Sequence, residues 1–247
     1  MFKGLWKLSW IETKIFVREP LGLVGTLAVP VILFILFGRA IGAGPPNPGS
    51  PDSPPFNVAV LASLMIALGA VQSLVAIIAI YREGGILKRL RATPLSPVTI
   101  LGAHVLVKLA FTVASLGLLV LAGRRVFPGA MQVDLASFTA ALLLSTLSIL
   151  SLGFVLASLV PTARFAQPLG AAILYPMVAV SGLFFPVARL PAAMRMLANL
   201  LPTTHAVALM QGVWNGAGWI AHWGDAAALI VSFAVCTALA TKVFRWE

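Results

Sequence analysis

Long apolar runs, separated by short polar or proline-rich connectors, dominate the sequence of this 247-residue chain. A run of about 18 or more apolar residues is long enough to cross a lipid bilayer as a helix. The pattern predicts six membrane-spanning helices, at residues 21–38, 57–80, 98–122, 135–160, 169–185 and 225–243. We therefore expect an all-α polytopic membrane protein, with one transmembrane domain over residues 1–247.

Residues 1–20, ahead of the first predicted span, have a different pattern. Four basic residues fall within about 60° of one another on a helical wheel, and they are Lys3, Lys7, Lys14 and Arg18. Most apolar residues lie on the other side, as in a helix that lies in the membrane interface. We call this predicted interfacial helix the elbow helix. Glu12, on its apolar side, departs from the pattern, and the alternative is a disordered basic leader.

Residues 81–97, between the second and third predicted spans, form a short basic connector. Its apolar residues Ile86, Leu87 and Leu90 recur at i, i+1 and i+4, which gives a helix one narrow apolar stripe. The remaining surface of the segment is basic, through Lys88, Arg89 and Arg91. A stripe this short suits a groove on a partner protein. The alternative is that the basic cluster only contacts anionic lipid.

Residues 186–222, between the fifth and sixth predicted spans, are apolar but interrupted by proline. Pro186, Pro191 and Pro202 divide the segment into helices too short to cross the membrane. Two such helices that return to one face form a re-entrant hairpin, which lipid permits only where protein shields the broken backbone. The alternative is an amphipathic stretch that lies on the outer surface.

The composition agrees with a membrane protein, since 60% of the residues are hydrophobic and only 10% are charged. Soluble domains carry about a quarter charged residues. The formal charge of +10 lies in connectors beside the spans and forms no solvated patch, so we expect no nucleic-acid partner. Eleven Lys and Arg residues fall on the side of the N-terminus and five on the other side. The positive-inside rule therefore places both termini in the cytosol.

The order of these segments resembles the permeases of the ABC type-2 family, the transmembrane subunits of ABC exporters. Residues 81–97 resemble the segment that couples such a permease to its ATPase. Arg18-Glu19-Pro20 resembles the acidic-proline entry to the first span, and Ser181 to Pro186 resembles the end of the fifth. Leu190-Pro191, followed by Asn199 to His205, resembles the prolines that flank the re-entrant helices of the family. The resemblance covers the whole chain.

The resemblance implies a complex of two permease chains and two ATP-binding subunits in a prokaryotic inner membrane. ATP and Mg²⁺ would bind to the partner subunits, and the permease would contact them through Glu83, Ile86, Leu87, Lys88, Leu90 and Arg91. The expected substrates are hydrophobic or amphipathic compounds of a drug or antibiotic kind. The alternatives are export of lipid-linked polysaccharide or another lipid, and a membrane scaffold that transports nothing.

The sequence gives no positive sign of an active site. Gly84 to Lys88 lacks the spacing that cradles a phosphate in a nucleotide-binding loop, so we expect no enzyme activity and no directly bound cofactor. His104, His205 and His222 lie in separate segments, which predicts no metal site. No carboxylates are paired within a span, although proton-driven transporters usually need one there. The energy for transport would then come from an ATPase.

Small and polar residues in the second and fifth predicted spans indicate a substrate route between two permease chains, at Gly69, Gln72, Tyr175 and Ser181. Helix packing within one chain explains them equally well. Lys108 lies about ten residues into the third predicted span. We favour a lysine that extends to the cytosolic headgroups over a functional charge within the membrane.

Overall fold

The computed structural model describes residues 2–42, 57–85, 97–128, 133–160 and 162–243. Within these ranges the secondary structure is helical, and no β-strand occurs there. The helices are α1 (Phe2–Val17), α2 (Pro20–Ile41), α3 (Val58–Glu83), α4 (Pro97–Val126), α5 (Leu135–Leu159), α6 (Ala163–Ala179), α7 (Ala192–Leu200), α8 (Pro202–Trp214), α9 (Gly218–Ala221) and α10 (Trp223–Val243). The all-α prediction is confirmed for the described chain.

Five described helices, α2, α3, α4, α5 and α10, are long and apolar enough to cross a membrane. The predicted fifth span corresponds to α6, which begins earlier than expected and has 17 residues. At 1.5 Å per residue it is about 26 Å long, slightly shorter than the roughly 30 Å hydrocarbon core. Pro168 and Pro176 lie inside it. The membrane crossing by α6, and with it the count of six spans, therefore stays a prediction.

Helices α3 and α5 form the centre of the bundle. In the most apolar stretch of each, 61% of the residues are buried, against 17% in α2 and 11% in α10. A Cβ on Gly153 of α5 would lie 2.9 Å from Cγ1 of Val71 in α3, so this glycine lets the two helices approach closely. The outer helices α2 and α10 are left with wide apolar surfaces.

The bundle has two distinct ends. The elbow end contains α1, the last turns of α3 and α5, and the first turns of α4 and α6. The hairpin end contains α7, α8, α9 and the first turns of α3, α5 and α10, and there Phe138 packs edge-on against Trp214 at 5.0 Å between ring centroids. Asp134 caps α5 by accepting hydrogen bonds from the Ser137 hydroxyl and two backbone amides. These bonds hold the pKa of Asp134 below its ordinary value.

The predicted elbow helix is α1, which favours an interfacial helix over a disordered leader. Trp6 and Trp10 are exposed, whereas Phe16 is buried against Phe111 of α4, with 4.4 Å between ring centroids. Pro20 then opens α2, since proline fits the first turn of a helix. Lys3 also lies on α1, and Lys7, Lys14 and Arg18 are exposed.

Each proline that was predicted to break the hairpin lies at the boundary of an element. Pro186 precedes a single 3₁₀ turn at Val187–Arg189, Pro191 precedes α7, and Pro202 is the first residue of α8. Helix α7 has nine residues and α8 has 13. Both are too short to cross a bilayer, as the sequence indicates. Their re-entry into the membrane stays a prediction.

Candidate functional site

The last turn of α3 leads into the predicted coupling segment, and three consecutive residues there each contact a different helix. The first is Tyr81, whose hydroxyl donates a hydrogen bond to Oε1 of Glu12 in α1 at 2.9 Å. The partners are 69 positions apart in the sequence. This bond joins the elbow helix directly to the turn that precedes the coupling segment.

The second residue is Arg82, which binds the carboxyl end of α5. Its Nη1 donates to the carbonyl of Val160 and its Nη2 to the carbonyl of Ala157, both at 2.8 Å. The last carbonyls of a helix lack partners within the helix and carry partial negative charge. The planar guanidinium reaches both carbonyls at once, which a lysine ammonium cannot do with the same geometry.

The third residue is Glu83, which binds the amino end of α6. Its Oε2 accepts a hydrogen bond from the backbone N–H of Ala163 at 2.8 Å. A carboxylate suits this position because the first amides of a helix are free donors at the positive end of the helix dipole. Tyr81, Arg82 and Glu83 together form what we call the α3 anchor. The anchor connects the last turn of α3 to α1, α5 and α6.

Glu12 also contacts a second residue beneath α1. Its Oε2 lies 3.5 Å from Nδ1 of His104 in α4, and the Tyr81 ring packs edge-on against the His104 ring with centroids 5.5 Å apart. The His104 side chain is 4% exposed and that of Glu12 is 15% exposed. The placement of Glu12 on the apolar side of the elbow helix, which breaks the amphipathic pattern, is therefore explained by buried polar partners.

Lys108 is buried beneath the elbow helix, and its extension to the cytosolic headgroups stays a prediction. It is 8% exposed, and its Nζ lies 4.5 Å from the centroid of the Phe16 ring. The elbow helix covers the side chain, and hydropathy along α4 alone contains no sign of that cover. The lysine thus contributes a cation–π contact between α4 and α1.

We expect Lys108→Met to lower the stability of the purified chain by about 1–2 kcal/mol, because methionine keeps the length but loses the cation–π contact. The measurement is the melting temperature in detergent or nanodiscs. Lys108→Arg is the matched control, since it keeps the charge and should melt closer to the wild type. An unchanged melting temperature for Lys108→Met would show that the contact contributes nothing.

Most of the predicted contacts to an ATPase lie outside the described residues, namely Ile86, Leu87, Lys88, Leu90 and Arg91. The chain approaches them through Gly85, which has a φ of +65°. Glycine adopts this left-handed conformation without the strain of a side chain. Glu83 lies within the described chain and engages α6 with one carboxylate oxygen, as given above.

The predicted residues of the substrate route have different surroundings. Gln72 faces Gly170 of α6, where a Cβ would collide with the Gln72 amide. Ser181 is buried and donates to the carbonyl of Val178 at 2.7 Å. By contrast, Tyr175 is 58% exposed, and a Cβ on Gly69 would meet no atom within 4 Å. Gln72 and Ser181 thus take part in packing within the chain, whereas Gly69 and Tyr175 are open to a second molecule.

The three histidines are not arranged as a metal site. No group of three or more His, Cys, Asp or Glu side chains with suitable geometry occurs among the residues that the structure describes. The fold nevertheless brings His205 and His222 to one carboxylate, that of Asp225. The sequence contains no sign of this cluster, because 17 positions separate the two histidines along the chain.

The family model for ABC-2 type transporters matches residues 3–214 of this chain. The chain belongs to the ABC-2 type transporter family. The match begins in the elbow helix and ends at the last residue of α8, so it includes both the α3 anchor and the hairpin. The resemblance inferred from the sequence is confirmed. A search of curated proteins finds no match.

Family membership makes this chain an ABC permease component, and the long apolar helices make it a multi-pass membrane protein. It also implies an ATP-binding subunit as a partner. The α3 anchor lies where the predicted contact with such a subunit begins.

Proposed function

We propose that this chain is the membrane-spanning subunit of an ATP-driven exporter of hydrophobic or amphipathic compounds, of the drug or antibiotic kind. The observation that carries the proposal is the α3 anchor, which connects residues 86–96 to three helices of the bundle. ATP and Mg²⁺ bind to the partner subunit, and this chain supplies the pathway through the membrane.

Transmission of force follows from the anchor. When the ATPase displaces the coupling segment, the last turn of α3 moves with it. Tyr81 transfers this movement to the elbow helix, Arg82 to the end of α5, and Glu83 to the start of α6. Because α3 and α5 pack tightly at the centre of the bundle, a movement at the elbow end is carried along their length as nearly rigid bodies.

The elbow end faces the cytosol in this proposal, and the hairpin end faces outward. Supporting the orientation, Lys7, Lys14, Arg18 and Arg82 lie at the elbow end, where the chain leads into the basic coupling segment. The exposed Trp6 and Trp10 of α1 suit the boundary between lipid headgroups and acyl chains. The membrane is the inner membrane of a prokaryotic cell.

Two copies of the permease form the pathway between them. The open face of α6 supports this arrangement, since Phe165 and Tyr175 are 57% and 58% exposed. Gly69 of α3 leaves space beside it. Large exposed aromatic side chains on one helix are typical of a surface that a second protein or lipid covers.

We expect cysteines at Gly69 and Ala172 to crosslink between two copies of the chain. Both positions are accessible, and Ala172 lies about one turn from Tyr175 on α6. The experiment uses a Cys236→Ser background, so that no native thiol competes, and reads dimers on a denaturing gel. Ala166→Cys is the matched control, because Ala166 is buried against its own chain. A failure of the cysteines at Gly69 and Ala172 to crosslink between chains, or equal crosslinking at Ala166, would contradict the proposed interface.

The function itself is tested by reconstitution with an ATP-binding subunit in proteoliposomes. We expect the two proteins to copurify, and the permease to stimulate ATP hydrolysis when an amphipathic drug is added. Movement of a labelled drug against its gradient would complete the proof. Stimulation only by a lipid-linked polysaccharide would identify the alternative cargo. No association with any ATPase would identify a scaffold instead.

A further inference from the structure

Two histidines share one aspartate at the hairpin end of the bundle. Nδ1 of His205, in α8, lies 2.8 Å from Oδ1 of Asp225, and Nδ1 of His222 lies 3.0 Å from Oδ2 of the same carboxylate. The three side chains are between 22% and 27% exposed. They are shielded enough to hold a defined geometry and open enough to exchange protons with water.

His205 lies between two hydrogen-bond acceptors. Its Nδ1 faces the Asp225 carboxylate, and its Nε2 lies 3.0 Å from the backbone carbonyl of Asn199. A neutral imidazole has one N–H group and can donate only one of these bonds. The doubly protonated imidazolium donates both. Both bonds can therefore form at the same time only when His205 is doubly protonated.

The two bonds of His205 connect three helices. Asn199 belongs to α7, His205 to α8 and Asp225 to the first turn of α10. Ala198 is the buried residue of α7, and its neighbours Leu197 and Leu200 are 62% and 76% exposed. Within this chain α7 buries little apolar surface, so the bond from His205 to Asn199 adds a polar attachment to a small apolar one.

His222 holds the carboxylate from the other side. The His222 ring lies against Gly212 of α8, so closely that a Cβ there would collide with it. The bond from His222 keeps Asp225 in place when His205 changes charge. A neutral His205 then keeps its proton on Nδ1, beside the carboxylate, because a hydrogen bond to a charged acceptor is the stronger one. The bond that is lost is the one to Asn199.

Few other charges face this cluster. Among the described residues of the helices packed against α8, the hairpin end carries Arg195 in α7 and Asp134 at the start of α5. No described ion pair involves either of them. Lys242 of α10 lies at the elbow end. Asp225 is the charged group that His205 contacts directly.

We propose that His205, Asp225 and His222 form a proton-controlled clasp that fastens α7 to α8 and α10. Protonation of His205 closes the clasp, so the attachment of α7 is complete at acidic pH and is lost as the pH rises. Histidine side chains ordinarily change charge between about pH 5 and pH 8. The hairpin would thus respond to the pH on its own side of the membrane, independently of the ATPase.

The protonation state is measurable directly because the chain contains only three histidines. We would record ¹⁵N NMR spectra of the full chain, labelled at histidine, in lipid nanodiscs between pH 5 and pH 8. His205→Gln and His222→Gln assign the signals. We expect both ring nitrogens of His205 to carry protons at pH 5, and only Nδ1 to carry one at pH 8. A neutral His205 at pH 5, or a doubly protonated His205 at pH 8, would overturn the proposal.

The consequence for α7 is measured by hydrogen–deuterium exchange of the same chain. At pH 5 we expect the amides of α7 to exchange several-fold more slowly in the wild type than in His205→Gln. At pH 8 the two proteins should exchange alike, since the clasp is then open in both. His104→Gln, at the elbow end, should keep the wild-type difference between the two pH values. Equal exchange in wild type and His205→Gln at pH 5 would show that no clasp holds α7.

Discussion

Arg82→Met is expected to abolish export and to lower the stability of the permease by about 2–4 kcal/mol. The substitution keeps an unbranched side chain but removes both donors that reach the carbonyls of Ala157 and Val160. A hydrogen bond that involves a charged group contributes about 1.5–3 kcal/mol, and partial exposure of the guanidinium lowers that value. The end of α5 would then lose its hydrogen bonds to the last turn of α3, and with them the direct link from the coupling segment to α5.

Arg82→Lys is the control for this result, because it keeps the positive charge that helps to orient the protein in the membrane. We expect Lys at this position to preserve insertion but to restore little export, since one ammonium cannot bind both carbonyls in the same way. The measurements are the melting temperature of the purified permease and drug export in proteoliposomes. A wild-type melting temperature for Arg82→Met would refute the structural role of Arg82.

The long helices were predictable from the sequence, because the hydropathy of neighbouring residues along the chain is enough to indicate a membrane-spanning helix. The second predicted span, 57–80, is α3 at Val58–Glu83, and the fourth, 135–160, is α5 at Leu135–Leu159. Their starts follow from Asn57 and Asp134, whose side chains cap the first turn. The predicted fifth span, 169–185, is displaced from its helix, which begins after Thr162 and ends at Ala179. Mean hydropathy does not locate such boundaries.

The polar contacts at the elbow end were not predictable in the same way. A helical wheel shows how Glu12 lies relative to its own helix, but it contains no information about Tyr81, 69 positions later. In the sequence, Arg82 and Glu83 are one basic and one acidic residue of a connector. In the folded chain, each binds the end of a different helix. Lys108 lies beneath Phe16 of α1, a contact that exists only in the folded chain and that the hydropathy of α4 does not predict.

The coupling segment needs both kinds of information. Its assignment comes from the sequence, and the attachment of the turn that precedes it comes from the fold. Residues 86–96 lie outside the described residues, yet the turn that precedes them is held at Tyr81, Arg82 and Glu83. An apolar stripe of three side chains gains little by folding onto its own bundle, whereas a groove on a second protein buries it fully. The stripe and the anchor therefore support one function, with contact at one end and transmission at the other.

Leu90→Asp should break the association with the ATP-binding subunit while every positive charge of the segment stays in place. A carboxylate in an apolar groove is costly to bury without a partner, and about 3 kcal/mol would weaken binding more than a hundredfold. Leu90→Met is the matched control, because it keeps an apolar side chain of similar volume and should bind nearly as well as leucine.

Arg89→Gln removes one charge and tests the alternative, in which the segment only contacts anionic lipid. Copurification, drug-stimulated ATP hydrolysis and export are measured on the reconstituted complex. If Leu90→Asp leaves all three intact while Arg89→Gln reduces them, the segment binds lipid through its charges and the coupling function is wrong.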